Sequence, residues 1–287
     1  MNVFGLKLGR AVLVLSLGVA SAGAGETAVR RDIPYLSDEA LAAASDYQKA
    51  RCRLDVRVPV GVTGFPTVVW FHGGGLTGGG KHFIRIDEGI AQVAANYRFL
   101  QKDGSVTGDD CIDDATAAVV WTLRNVATFG GDPKKVFVSG MSAGGYLTMM
   151  VGMDPSRLGK HGFRPTDLAG LAPVSGQATK HFNVRAFAGD ADPQYLPKID
   201  RLAPLAYCSK DLPPLVSICG EPPWEWRCRA EENRLLIASC AALGHEKAWF
   251  VSCPYADHGR ALTAGVPYVE MFVRGRLPDS LRLGARR

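Results

Sequence analysis

The chain has 287 residues, 47% of them hydrophobic and 21% charged, with a formal net charge of +5. That balance excludes a disordered or collagen-like chain. No Lys/Arg run accompanies the charge, so no nucleic-acid footprint is present.

In chain order, the first feature is a leader. Residues 1–10 hold Lys7 and Arg10 and no acid, and Ala11 to Gly25 is uncharged around Val12-Leu13-Val14-Leu15. Ala20-Ser21-Ala22 and Ala22-Gly23-Ala24 both fit a small-residue cleavage site. The pattern predicts a signal peptide over residues 1–24, followed by one domain over 25–287 and export to the periplasm or exterior. The stretch is shorter than the roughly 18 apolar residues of a spanning helix, and no second candidate span follows it. Removing residues 1–22 leaves a net charge of +3, too weak to imply an acidic partner.

Export would change the meaning of the seven cysteines. An odd number leaves at least one thiol unpaired within the chain. Cys52 and Cys111 precede polar segments and are the first candidate pair, whereas Cys219 and Cys253 end apolar runs and read as buried thiols.

From residue 53 onward, short apolar runs alternate with helical stretches. Leu54 to Val58 alternates at period two, as a half-buried strand does. Pro66 to Phe71 is continuously apolar, as a strand covered on both faces should be. Ile90 to Asn96 is the next strand. Cys111 to Phe129 is a helix, favoured at its start by Asp113 and Asp114 and ended by Gly130-Gly131-Asp132-Pro133. Strands follow at Lys135–Ser139 and Leu168–Val174, with a helix over Gly144–Met153 between them. Residues 177–213 break the rhythm and read as one short helix and loops over a site. Leu215–Cys219 and Ala248–Val251 are strands around a helix over Arg229–Leu243, and a last helix runs over Val266–Val273. The alternation predicts an α/β fold, a mostly parallel central sheet flanked by helices on both faces. Sites in such sheets lie beyond the carboxyl ends of the strands.

Two segments in such places carry chemistry. Gly140-Met141-Ser142-Ala143-Gly144 sits between a strand and a helix, the context of a nucleophile elbow. A sharp turn there lifts Ser142 above the sheet, and the helix start aims positive potential at developing negative charge. His72-Gly73-Gly74-Gly75 follows the strand ending at Phe71. Its backbone N–H groups, those of Gly74 and Gly75 with that of Ala143, can form an oxyanion hole. His72 leads the loop and reads as its brace. Gly78-Gly79-Gly80 reads as simple loop flexibility. Tyr97-Arg98 can brace the oxyanion loop.

With Asn96-Tyr97-Arg98 and Gly130-Gly131-Asp132-Pro133 added, the order and spacing of these segments resemble the α/β-hydrolase carboxylesterases of the hormone-sensitive-lipase-like kind, over residues 50 to 275. The resemblance implies a serine hydrolase acting on carboxylic esters through an acyl-enzyme, with neither metal nor organic cofactor. It implies the chain order nucleophile, acid, histidine. The histidine falls in Tyr255-Ala256-Asp257-His258-Gly259, which makes His258 the base. The other histidines compared with it, His82, His161, His181 and His245, read as surface residues. The family's acid position, three residues past Gly220, holds Pro223. Counting back from Gly244 lands near Glu225, so a loop lengthened by two residues reconciles the counts. Glu225 is the first candidate for the acid and Glu221 the second. Glu231 and Glu232 read as a solvated helix face, and Asp190, Asp192 and Asp200 as loop solvation. Trp224 and Trp226 line an acyl or sugar pocket or else anchor packing.

The leading expectation is an exported esterase of short acyl groups, with acetyl or feruloyl esters of carbohydrates as candidate substrates. An amidase, formamidase or peptidase on the same triad is the second reading. A non-catalytic binding protein on the same fold, motivated by the displaced acid, is the third.

Overall fold

A computed structural model describes residues 25–282; the predicted leader, residues 1–24, lies outside them. In chain order the elements are β1 (Thr27–Pro34), α1 (Asp38–Ala43), α2 (Asp46–Arg51), β2 (Arg53–Pro59), β3 (Phe65–Phe71), β4 (Ala91–Ala95), α3 (Gly108–Asn125), β5 (Gly131–Met141), α4 (Ala143–Met153), α5 (Pro155–Gly159), β6 (Gly170–Val174), α6 (Phe182–Phe187), β7 (Leu215–Gly220), α7 (Arg229–Ala242), β8 (Ala248–Cys253) and α8 (Arg260–Val273). The strands form one eight-stranded sheet in the order β1-β2-β4-β3-β5-β6-β7-β8. The pairs β1/β2 and β2/β4 are antiparallel, and every pair from β4/β3 to β7/β8 is parallel.

The central strands are continuously apolar because both faces are covered. In β3, Val69 and Phe71 join the larger core with α3, α4 and α7, while Val68 and Trp70 join the second core, with Ile84, Ile86 and α8. Alternate side chains of one strand point to opposite faces, so the two cores lie on opposite sides of the sheet.

Four elements differ from expectation for local reasons. β1 is exposed along most of its length and held by pairing with β2, so it carries no apolar pattern. Helices α1 and α2 have six residues each, capped by Ser37 and Ser45, too short to show a helical period. α3 begins at Gly108, three residues before the expected start. Thr107 and Asp110 form a capping box there, with each side chain taking the other's backbone N–H.

All seven thiols are free. The expected Cys52–Cys111 pair is not joined. Both sit in the larger core, and the Cys111 thiol donates to the Arg98 carbonyl at 3.2 Å. Burial, with Asp114 nearby, pushes Cys52 up to about 12 and Cys111 well up, which disfavours the thiolate that oxidation requires. The Cys208 thiol donates to the Leu236 carbonyl at 3.7 Å.

Candidate active site

Ser142 stands between the end of β5 and the start of α4. Its backbone is at φ 56, ψ −115, a sparsely populated region for a residue with a side chain. The turn closes only because its neighbours are small. A Cβ on Gly144 would lie 2.0 Å from the Phe71 carbonyl oxygen, and one on Gly140 2.5 Å from the Gly144 backbone. These glycines are therefore required by contact with backbone, not by their own dihedrals. The strain is held by Ser142 N–H donating to Val174 O at 2.8 Å and by the buried helix behind it.

His258 lies in the loop between β8 and α8. Its Nε2 is 2.9 Å from Ser142 Oγ, and its Nδ1 is 2.7 Å from Glu225 Oε1. The partners assign the tautomer: the Ser142 hydroxyl donates to Nε2, and Nδ1–H donates to the carboxylate. Glu225 comes from the loop after β7. Its Oε2 accepts from the Ser175 hydroxyl at 2.6 Å and from Gly220 N–H at 2.9 Å, and its Oε1 also accepts from Trp226 N–H at 2.8 Å. Burial raises its pKa, but the hydrogen bonds from His258 and Ser175 outweigh burial and hold the carboxyl below its ordinary value. It is therefore ionised at neutral pH. The second candidate acid, Glu221, is turned elsewhere: its Oε2 accepts from Tyr255 N–H at 2.9 Å.

The glycine loop after β3 lies against this line. A Cβ on Gly73 would be 3.4 Å from that of Ser142. Gly74 and Gly75 adopt φ 107 and φ 64. Among the described residues no protein acceptor takes the N–H of either one. His72 stacks on Tyr97 with centroids 4.5 Å apart, and the Tyr97 hydroxyl donates to the His72 carbonyl at 2.9 Å. Burial pushes His72 down to about 4, so the ring is neutral. Asn183 of α6 donates to the Gly75 carbonyl at 2.7 Å and ties the covering segment to the loop. Gly79 differs from the flexible reading. It has φ 102, and a Cβ there would lie 2.5 Å from His72 Nδ1, so close approach requires it.

Residues 177–213 cover the site with α6 and a 3₁₀ turn at Pro204–Tyr207. Between this segment and α7 lies a cavity of about 270 Å³, walled by Phe182, Leu196, Ile199, Trp226, Glu232 and Leu235. Trp226 stacks on His258 with centroids 4.0 Å apart and planes 11° apart.

Several side chains depart from expectation. His181 and His245 are buried, not at the surface. His181 caps α6 through Nδ1, and His245 bonds the Pro213 carbonyl at 3.1 Å. Glu232 is half-buried, bonded to Thr179 and Arg229, because α7 packs that face under the covering segment. Asp190, Asp192 and Asp200 each pair with a cation: Arg185, Lys198 and Lys180. Ser175 and Asn183 escaped sequence reading. The one available hint for Ser175 was a polar residue at the carboxyl end of an apolar strand.

Comparison with known proteins agrees with this architecture. The family model described as BD-FAE matches residues 54–161, and one described as alpha/beta hydrolase fold matches 109–214. Carboxylesterase 1F of Mus musculus is 37% identical over 127 residues, 40% of this chain and 22% of that protein. Esterase E4 of Myzus persicae is 36% identical over 88 residues, 27% of this chain and 16% of that one. The chain thus spans about a fifth of the curated relatives it matches. Among solved structures, a truncated carbohydrate esterase from gut microbiota superposes with a TM-score of 0.69 at 18% identity, covering 89% of this chain and 98% of that one. Esterase 2 of Thermogutta terrifontis, propionate bound, gives 0.61 at 20% identity over 78% and 89%. Sheet order, the turn at Ser142 and these likenesses together establish that the chain has the α/β-hydrolase fold and resembles its carboxylesterases.

Proposed function

We propose that this chain is a serine hydrolase of carboxylic esters that works through an acyl-enzyme. The observation that carries the reading is the continuous line from Ser142 Oγ through His258 to Glu225, at 2.9 and 2.7 Å, beside a glycine loop with free amides. Ser142 Oγ attacks the ester carbonyl carbon as His258 Nε2 takes its proton. The carbonyl oxygen becomes an oxyanion, which the N–H groups of Gly74, Gly75 and Ala143 stabilise. His258, oriented by Glu225, returns the proton to the leaving alkoxide, and the C–O bond breaks. Water then attacks the acyl-enzyme by the same route and releases the carboxylic acid. No step calls on a metal or an organic cofactor.

The substrate belongs with small or carbohydrate-borne esters. The cavity beside Trp226 has room for a modest apolar or aromatic group, and two structural neighbours are described as an esterase and a carbohydrate esterase. Acetyl and feruloyl esters of carbohydrates are the substrates this reading favours. The uncharged stretch at 11–25 and its small-residue end support export. No helix among the described residues is long and apolar enough to cross a membrane. The reading of a non-catalytic binding protein loses its motive, because an acid does reach His258.

The test is burst kinetics with p-nitrophenyl acetate, alongside labelling by a fluorophosphonate. The expected outcome is a burst, label on Ser142, and loss of both in Ser142→Ala. Absence of burst and label in the wild type sinks the reading. Faster cleavage of the matched anilide than of the ester would move it to an amidase.

A further inference from the structure

Trp226 follows the triad acid in sequence and touches the triad twice. Its backbone N–H donates to Glu225 Oε1, the same oxygen that receives His258 Nδ1–H. Its indole lies parallel to the imidazole, with centroids 4.0 Å apart and planes 11° apart. Phe182 meets the indole edge-on at 6.0 Å, and the Arg229 guanidinium sits 5.9 Å from the indole ring centroid. Arg229 is itself anchored on the Ser175 carbonyl at 3.1 Å and on Glu232 at 3.3 Å. The indole is 43% exposed, yet it stands in a fixed frame. A large aromatic kept at that exposure, face-on to a histidine, is poorly explained as core packing.

We propose that Trp226 is a positioning residue for the reaction, holding the His258 ring in plane and stabilising the imidazolium that forms when Ser142 gives up its proton. This rests on the esterase reading above. The physics is the ring quadrupole. A cation over an indole face is attracted to it, and the attraction appears only when His258 becomes charged. An interaction present in the transition state and absent from the ground state raises kcat and leaves KM alone. On p-nitrophenyl acetate a change confined to substrate fit appears in KM, and a change in the base appears in kcat.

The experiment compares Trp226→Leu, Trp226→Phe and the control Leu243→Ala; Leu243 is 56% exposed at the end of α7. On p-nitrophenyl acetate, kcat falls about tenfold in Trp226→Leu with KM unchanged, and Trp226→Phe restores most of it. Leu243→Ala behaves as wild type. A second readout needs no turnover. Imidazolium quenches a stacked indole, so wild-type tryptophan emission shows a pH step that is absent in His258→Gln and in Trp226→Phe. Glu225, Asp257 and Arg229 are the other charged groups near the pair, and all three are present in His258→Gln, so a step missing there belongs to His258. Wild-type kcat in Trp226→Leu, an equal loss in Trp226→Phe, or superimposable emission curves for wild type and His258→Gln each overturn the proposal. Should the wild type lack esterase activity, that reading falls, and the emission step alone decides whether Trp226 senses the charge on His258.

Discussion

At the scale of single residues, the candidate site turns on where one carboxylate is held. Glu225 receives four hydrogen bonds, and the shortest comes from Ser175, a fully buried serine at φ 46. That backbone conformation favours glycine. Ser175→Gly should therefore keep or slightly raise the thermal midpoint while lowering kcat by about tenfold, a stability gain coupled to a functional loss. The same change removes a donor from the ionised carboxylate, so its pKa rises. Activity on acidification should then be lost at a higher pH than in the wild type, as a pH–rate profile would show. Glu225→Gln should cut turnover by about 10²-fold or more, because an amide neither fixes the tautomer nor balances the imidazolium. Glu221→Gln should leave it near wild type, since Glu221 only takes the Tyr255 N–H. Ser142 and the glycines were legible in sequence because each sits in a short local motif, and His258 followed from the resemblance those motifs carry. Ser175 was not, because its role depends on a partner 50 residues away.

At the scale of elements, the strand–turn–helix around Ser142 is limited by volume. Gly144 faces the Phe71 carbonyl oxygen so closely that a methyl group cannot fit. Gly144→Ala should destabilise by about 3 kcal/mol, read by urea unfolding, and reduce activity further by moving α4 off β3. Strands and long helices were readable because burial on one or both faces imposes a period on their residues. β1, α1 and α2 carry no such imprint; pairing and capping hold them. The capping box at Thr107 shows a signal present in the sequence and outweighed in the reading by the acids that follow it.

At the scale of the whole molecule, an ion network links the covering segment to the helical layer. Arg157 is nearly buried and binds Asp109 at 2.7 Å, Asp113 at 3.0 Å and Asp154 at 3.0 Å, while Arg201 of the covering segment reaches Asp109 at 2.7 Å. Arg157→Met leaves buried Asp154 without its cation and should cost about 3 kcal/mol of stability by urea unfolding. The hydrogen bond from Arg201, then the pairing with Arg157, lowers Asp109 to about 2 against the burial that raises it. A carboxylate depressed in the folded state stabilises the fold above its ordinary pKa and loses that contribution as pH falls towards 2. The thermal midpoint should thus drop between pH 4 and pH 2, and drop less in Asp109→Asn. Arg201 is largely exposed, so salt should weaken its share of the effect.

The α/β alternation, the elbow at Ser142 and the glycine loop are written locally, within a few residues each, and the histidine after the last strand followed from the resemblance they carry. Periodicity and short motifs record local geometry, and so these features could be read along the chain. The acid could be narrowed to Glu225 or Glu221 and no further, because loop length does not say which side chain turns inward. Folding decided that when it brought Ser175 and Gly220 against one carboxylate and left the other facing Tyr255. The stack of Trp226 on His258, the tether from Asn183 to Gly75 and the burial of His181 are likewise contacts between segments distant in sequence. They depend on how the sheet twists and where the covering segment lies. No residue type or spacing along the chain encodes that by itself.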